Sequence, residues 1–375
     1  KNTSPYLLGN YRIENILPGG SEDMIDVSGA PNKKLRWEKT HSVNAGFDFA
    51  VLNQAINLSV DYYYRKGVDL IGTQMLPLET GFEMLTVNWA SMQNQGVEVA
   101  LSTRNIHTKN FMWTTNFNFA YNNNKILKEA LREDALEPGR EGYPVGALFA
   151  LKTAGLDEEG YPMFEGKDGK AVSAMEFFKL QEWGFGATDL TARERRELYT
   201  YVGTADCPYT GGFNNTFTYK AFELGVNFSF DFGGKVRSQP TYSIVDFDKG
   251  RNTNRDILNR WTPENTETIF PVLLSQNERL DEYMWYSNQN EIYRNLDIWI
   301  RDLNYVRLQN IRLGYTLPTN FSRKLGMTSA TIAIEGRNLL VFGSSYKNYL
   351  DPETMSNAYA TPAPKSVTLS LNLNF

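Results

Sequence analysis

The final ten residues, SVTLSLNLNF, place Val367, Leu369, Leu371, Leu373 and Phe375 on one side of a period-two ladder, and Ser366, Thr368, Ser370, Asn372 and Asn374 on the other. Successive side chains of an extended chain point to opposite sides, so this spacing predicts a strand with one apolar face. Its polar face carries uncharged hydrogen-bonding groups. Its last residue is an aromatic, as a girdle residue at the rim of a membrane barrel would be. Taken alone the segment fits a soluble sheet equally, because alternation is the same signal in both.

The pattern recurs along the chain. Val43, Ala45, Phe47 and Phe49 alternate with Ser42, Asn44, Gly46 and Asp48; after a tight turn near Asn53, Ile56, Leu58, Val60, Tyr62 and Tyr64 repeat it, which predicts a hairpin. A long connection, Ile71 to Gln93, leads to a third strand with Val97, Val99 and Leu101 on one face. A short turn at Lys109 precedes a fourth strand, with Trp113, Phe117, Phe119 and Tyr121 opposite Thr114, Asn116, Asn118 and Ala120. The cleanest interior alternation is Phe213, Phe217 and Tyr219, a Lys220/Ala221 turn, and then Phe222, Leu224, Val226, Phe228, Phe230 and Phe232. A helix would scatter these residues around its circumference. Ile311, Leu313, Tyr315 and Leu317 mark the next strand, and Ile332 and Ile334 the one after it, facing away from Thr331, Glu335 and Arg337.

These strands divide the chain into a loop entering the sheet (1–34), strands (35–121), a mainly extramembrane insertion (122–209), a hairpin (210–234), a long loop (235–302) and terminal strands (303–375). The insertion mixes a helix-like run, TARERRELYTYV, with the Gly-rich turn GKDGK, and contains two apolar pieces, Gly146 to Ala154 and Tyr161 to Glu165, that would add two spanning strands. The count is therefore nine or eleven on alternating short and long connections. A self-contained bacterial barrel has an even number, so the expected fold is all-β: an antiparallel transmembrane β-barrel of which this chain is one part. The four long connections, Ile71–Gln93, Asn122–Tyr209, Lys235–Asp302 and Gly343–Lys365, are expected on the extracellular side.

Composition sharpens this. Aromatics make up 13% of the residues while mean hydropathy is -0.44, and no run approaches the ~18 apolar residues of a membrane helix. Helical spanning is excluded, and two aromatic belts account for the Phe, Tyr and Trp content. A net charge of -5 leaves no basic stripe for phosphates, so nucleic acid is not an expected partner. One cysteine, Cys207, and two histidines, His41 and His107, supply neither a disulfide nor a His-rich metal site. The chain begins without an initiator Met or an apolar leader, which is the reading expected of a mature protein or a piece of a longer one.

Several segments resemble the SusC/RagA family of TonB-dependent outer-membrane transporters of Bacteroidetes. LRWEKTHSVNAGFDF at Leu35 to Phe49 is similar to the family's W-E-K-T … N-x-G-x-D-F strand, and NLSVDYYYRKGVDLI to the strand after it. Asn94, Gly96, Val97 and Glu98 match its N-x-G-V-E entry, and GGFNNTFTYKAFELGVNFSF, RWTPEN, YVRLQNIRLGYTLP, GRNLLVFG and the terminal Phe375 follow in the family's order. The resemblance implies the C-terminal section of a barrel of about 22 strands. It also implies a plug and TonB box outside this chain through which the TonB complex acts, the remaining N-terminal part of the same barrel as neighbour, and outer-membrane lipid around it. A SusD-like surface lipoprotein would be the partner in importing oligosaccharides or peptides. Where family members often carry an acidic DxNGDG-like run, this chain has Gly166, Lys167, Asp168, Gly169 and Lys170; one carboxylate does not make a calcium loop, and no metal or other cofactor is expected.

Candidate contact residues are the loop aromatics Trp183, Phe185, Trp285 and Tyr286, whose faces could stack on sugar rings or peptide side chains, or pack the loops themselves. Phe375 is expected to belong to the terminal recognition strand. No catalytic residue is expected. Asp48, Asp61, Glu98, Glu223 and Asp231 could suggest a glycosidase carboxylate pair, but each holds a polar position of an alternating strand, where a lumen-facing role suffices. Cys207 is expected to be a spectator, and Arg193, Arg195 and Arg196 a solvated helix face. The alternatives to an importer are a passive porin or adhesin barrel and a secreted β-rich glycan-active enzyme.

Overall fold

A computed structural model of the chain describes residues 9–17, 20–27, 30–82, 84–131, 133–181, 188–238, 255–272, 294–343, 351–354 and 360–375. In chain order the strands are β1 (Gly9–Leu17), β2 (Gly20–Val27), β3 (Lys39–Val51), β4 (Ile56–Met75), β5 (Met84–His107), β6 (Phe111–Lys128), β7 (Ala147–Leu151) and β8 (Thr153–Leu156). They continue as β9 (Pro162–Glu165), β10 (Ala171–Val172), β11 (Tyr199–Thr204), β12 (Tyr209–Tyr219), β13 (Phe222–Arg237), β14 (Ile300–Thr316), β15 (Ser329–Phe342) and β16 (Ser366–Asn374). Among the described residues the α-helices are α1 (Ala174–Phe177), α2 (Ala192–Glu197) and α3 (Thr319–Lys324), all short. Among the described residues no helix is long and apolar enough to cross a membrane.

Nine strands form one sheet in the order β16-β15-β14-β13-β12-β6-β5-β4-β3. These are the nine read from alternation. The two apolar pieces of the insertion do not join them: β7 pairs with β11, and β8, β9 and β10 form a separate three-stranded sheet. The sheet is open, with β3 and β16 at its edges.

The chain divides into two compact units. One comprises Lys1–Asn44, Tyr63–Gly96 and Asn123–Val145; the other Ala45–Tyr62, Val97–Asn122 and Gly146–Phe375. In the second unit the register stacks the apolar positions across the strands. Phe117 faces Phe213, which faces Phe228, which faces Leu308. Leu224 faces Leu313, which faces Ile334, which faces Leu369. Phe213 and Phe228 stack at 4.8 Å, and Trp113 and Phe217 at 5.5 Å. Many of these side chains have no protein cover: Leu369 is 76% and Leu371 62% exposed. A row of bare Leu, Ile and Phe on a regular sheet is what lipid would cover.

A bulge keeps the faces in phase: between Leu308 and Asn310 of β14, Gln309 is the extra residue opposite the adjacent Asn227 and Phe228 of β13. Four polar residues interrupt the apolar face. Thr103 donates to Asn105, Asn105 to Thr115, and Thr115 to Asn215, which also accepts from the Trp113 indole at 3.0 Å. They satisfy one another across three strands, which is what allows polar groups on a face without water.

Arginine is expected to separate the two faces in the full-length protein. Phe228→Arg, within the apolar run of β13, should lower stability by about 2–4 kcal/mol and Ser229→Arg by much less, read in a folding titration into lipid vesicles. Equal costs would contradict the assignment of faces.

A conventional hydrophobic core exists away from the sheet. Leu151, Tyr161, Phe164, Ala174, Phe178, Leu180, Leu296 and Trp299 are buried together, with Phe270 and Val272 packed against them. This core joins the insertion to the described parts of the 235–302 excursion. In the RWTP segment, the Trp261 ring lies on Gly160, where an added Cβ would come within 2.4 Å of it. Gly160 has φ +85°, so a side chain there meets both strain and the indole. The helix-like run TARERRELYTYV is helical only over Ala192–Glu197, fixed by a capping box between Thr191 and Glu194. Its end, Tyr199–Val202, is rich in aromatic and β-branched residues and is part of β11. Arg193 pairs with Glu197 at 3.3 Å on the exposed side of α2.

In the first unit, the segment read as an entering loop contains the β1–β2 hairpin. The expected long connection Ile71–Gln93 is mostly strand, since β4 runs to Met75 and β5 starts at Met84. β5 has 24 residues, more than twice the ~10 that cross a bilayer. The segment before β3 is tied to these long strands: Arg36 pairs with Asp69, Asn88 bonds both the N–H and the C=O of Arg36, and Glu38 accepts from the Ile71 amide at 2.8 Å. The R-W-E-K run thus works as a clamp, in which Arg36 and Glu38 are the fastening groups and Trp37 is 91% exposed.

Candidate functional site

The polar face of the second unit bounds a cavity of about 1000 Å³. Seven strands contribute to its wall, and their polar positions include Asp48, Asn116, Asn118, Asn214, Asn227 and Asp231. Two carboxylates and many amides and hydroxyls line it, and among the described lining residues there is no Lys, Arg or His. Such a wall accepts hydrogen bonds well and repels anions. Gly211 and Gly212 let β12 lie close to its neighbours: a Cβ on Gly211 would meet the Asn118 carbonyl oxygen at 2.3 Å, and one on Gly212 the Phe228 carbonyl oxygen at 2.7 Å.

Beside the cavity, the Asp351–Thr354 turn is fastened to the same face. Arg307 of β14 is 2% exposed and pairs with Asp351, and its Nε donates to Glu353 at 2.9 Å. The Glu353 amide donates to the Asp351 carboxylate at 3.0 Å, and the Thr354 amide to the Asp351 carbonyl at 2.9 Å. The Tyr305 hydroxyl donates to Asp231, directly opposite on β13, and lies 3.3 Å from Glu353. Gln309 donates to Ser229 at 2.7 Å. A buried guanidinium is tolerated because it faces two carboxylates; removing Arg307 would leave the buried Asp351 carboxylate uncompensated.

Burial pushes the Asp351 carboxyl up, but the hydrogen bond from Arg307, with those from the Glu353 and Ala363 amides, outweighs it and holds the group below its ordinary value. A depressed carboxyl contributes stability that is present above the ordinary value of about 3.9 and lost as pH falls through the depressed one. The turn is therefore expected to stay fastened at neutral pH and loosen only in stronger acid. Hydrogen exchange at the Glu353 amide, corrected for its intrinsic rate, measures this; protection unchanged down to pH 2 or so would contradict it.

Of the residues singled out from sequence, Trp183, Phe185, Trp285 and Tyr286 lie outside the described residues. Phe375 directly follows β16 and is 83% exposed. Asp48 and Asp231 line the cavity, while Glu223 pairs with Arg312 at 3.0 Å. Cys207 is half-buried with Sγ 3.9 Å from the Leu303 carbonyl, and burial pushes its thiol up, away from the thiolate a nucleophile needs. Asp168 holds Lys170 at 3.0 Å in the β9–β10 turn, and among the described residues no three His, Cys, Asp or Glu side chains gather to hold a metal. The fastening group of Tyr305, Arg307, Asp351 and Glu353 was not read from sequence. The one signal for it is the Asp-Pro-Glu-Thr run, a turn initiator carrying two carboxylates.

Comparison with known proteins places this sheet. The family described as "TonB dependent receptor-like, beta-barrel" matches residues 11–148. TonB-dependent receptor P3 of Formosa agariphila is 28% identical, over 92% of this chain and 35% of its own length. TonB-dependent receptor SusC of Bacteroides thetaiotaomicron is 26% identical, over 92% of this chain and 32% of its own. Among solved structures, the RagAB peptide importer in its closed-closed state superposes with a TM-score of 0.73 at 23% identity, covering 98% of this chain and 38% of that one. The nine-stranded sheet thus resembles part of the larger β-barrel of TonB-dependent outer-membrane receptors. Within that class the chain is SusC/RagA-like, and it spans about a third of the length of the curated relatives it matches.

Proposed function

We propose that this chain forms the C-terminal section of the wall, with its outer loops, of an energy-coupled importer of oligosaccharides or peptides in the outer membrane. The observation that carries the reading is the open nine-stranded sheet, apolar on one face and lined by amides and carboxylates on the other, which follows a SusC/RagA-like barrel over nearly its whole length. The apolar face meets lipid and the polar face meets the lumen. The extended ends of β4 and β5, and the insertion with its own core, stand on the extracellular side with a SusD-like lipoprotein, where Trp183, Phe185, Trp285 and Tyr286 contact cargo. A plug elsewhere in the polypeptide, pulled through TonB, gates passage. The barrel residues catalyse nothing; RagAB is described as a peptide transporter, and the relatives as receptors.

Uptake of labelled oligosaccharides and peptides by cells carrying the full-length receptor tests this. Import should stop when the proton-motive force is dissipated. Import that continues undiminished would make the barrel a passive pore.

A further inference from the structure

We propose that the single proton of the Tyr305 hydroxyl reports occupancy of the cavity to the Asp351–Thr354 turn, and that the occupant it responds to is a cationic hydrogen-bond donor such as an ammonium or guanidinium group. The inference rests on reading the polar face as the lumen wall. Tyr305 is 4% exposed and is held between two carboxylates: Asp231, which lines the cavity, and Glu353, which belongs to the fastened turn. A phenol has one proton to donate, so it can satisfy only one carboxylate well at a time. In this structure Asp231 has it, and the contact to Glu353 is the long one, at 3.3 Å. Glu353 is otherwise held by Arg307 alone among its described side-chain donors.

The consequence follows from competition. A cation arriving from the cavity supplies Asp231 with a new donor, and no described Lys, Arg or His on the wall does so already. The hydroxyl is then free to rotate its proton to Glu353, a shift of hydrogen-bond partner with no bond made or broken. Glu353 gains a second donor beside Arg307, and the turn is held more tightly to β14. The two states differ in which carboxylate holds one proton, so the coupling has a defined two-state element and not only spatial proximity. An anionic ligand meets no cationic group on this wall, is repelled by Asp48 and Asp231, brings Asp231 no proton to accept, and so leaves the hydroxyl where it is.

The full-length receptor in lipid nanodiscs provides the test, by hydrogen exchange at the Glu353 and Thr354 amides with argininamide as the cationic probe and glutarate, which carries no ammonium, as the anionic control. Argininamide should raise protection by about three- to tenfold, the range that the net free energy of one hydrogen bond converts to. Glutarate should change nothing. Tyr305→Phe should abolish the response, and Asp231→Asn should abolish it independently should the first variant fold poorly. No rise with argininamide, an equal rise with glutarate, or a rise that survives in Tyr305→Phe would overturn the proposal. Uptake is not measured here, so a passive pore would refute the importer reading while leaving this coupling to stand or fall by itself.

Discussion

The 375-residue chain by itself is expected not to form a closed, heat-modifiable barrel in detergent, and to do so when expressed with the rest of its parent polypeptide. The physical reason is the pair of open edges. β3 and β16 each have a hydrogen-bonded neighbour on one side only, and both are exposed along almost their whole length. Within hydrocarbon an unpaired backbone N–H or C=O costs several kcal/mol, and each edge presents a row of them. No arrangement of side chains offsets that sum. The readout is the shift in gel mobility on heating, which a closed barrel shows and an open sheet does not. A monomeric chain, soluble without detergent and melting in one sharp transition, would instead be an independent soluble β domain.

A second large effect is expected far from the sheet. Phe164 is fully buried, stacks on Phe177 at 4.8 Å and meets Phe178 edge-on at 5.1 Å. Truncation to alanine removes those contacts and leaves a cavity, at a cost of about 3–5 kcal/mol. Because the core around it is built from the insertion and from Leu296, Trp299, Phe270 and Val272, the loss should be local. Limited proteolysis should open segment 146–204 in Phe164→Ala, while the mobility shift of the full-length barrel stays as in the parent. Loss of the barrel along with the insertion would mean that the two fold as one unit.

These two results bear on what could be read in the chain beforehand. All nine sheet strands were legible, because a sheet with lipid on one side and polar groups on the other enforces period two over each spanning segment. The ends of β4 and β5 were not. Past the apolar band the face constraint lapses: Gln93 and Gln95 occupy positions in step with Val97, and the strand continues on backbone pairing and on polar side-chain bonds such as those of Asn88. The apolar face also holds Thr115 and Asn215, which break the pattern yet satisfy each other from strands a hundred residues apart. The same limit hid the fastening of Asp351 by Arg307, 44 residues away in sequence. Local pattern cannot state which charge meets which; only the register of β13 on β14 brings Asp231 to Tyr305.

The central claim is that the open sheet is one arc of a larger barrel with Val367, Leu369 and Leu371 turned to lipid. It is tested most directly by placing a nitroxide label at each position from Ser366 to Asn374 in the full-length receptor, in bilayers. Lipid-soluble oxygen and a water-soluble nickel chelate then serve as competing relaxants. The account predicts strict alternation, with oxygen dominant at 367, 369 and 371 and the chelate dominant at 368, 370 and 372. Uniform access of the chelate to both sets would contradict it.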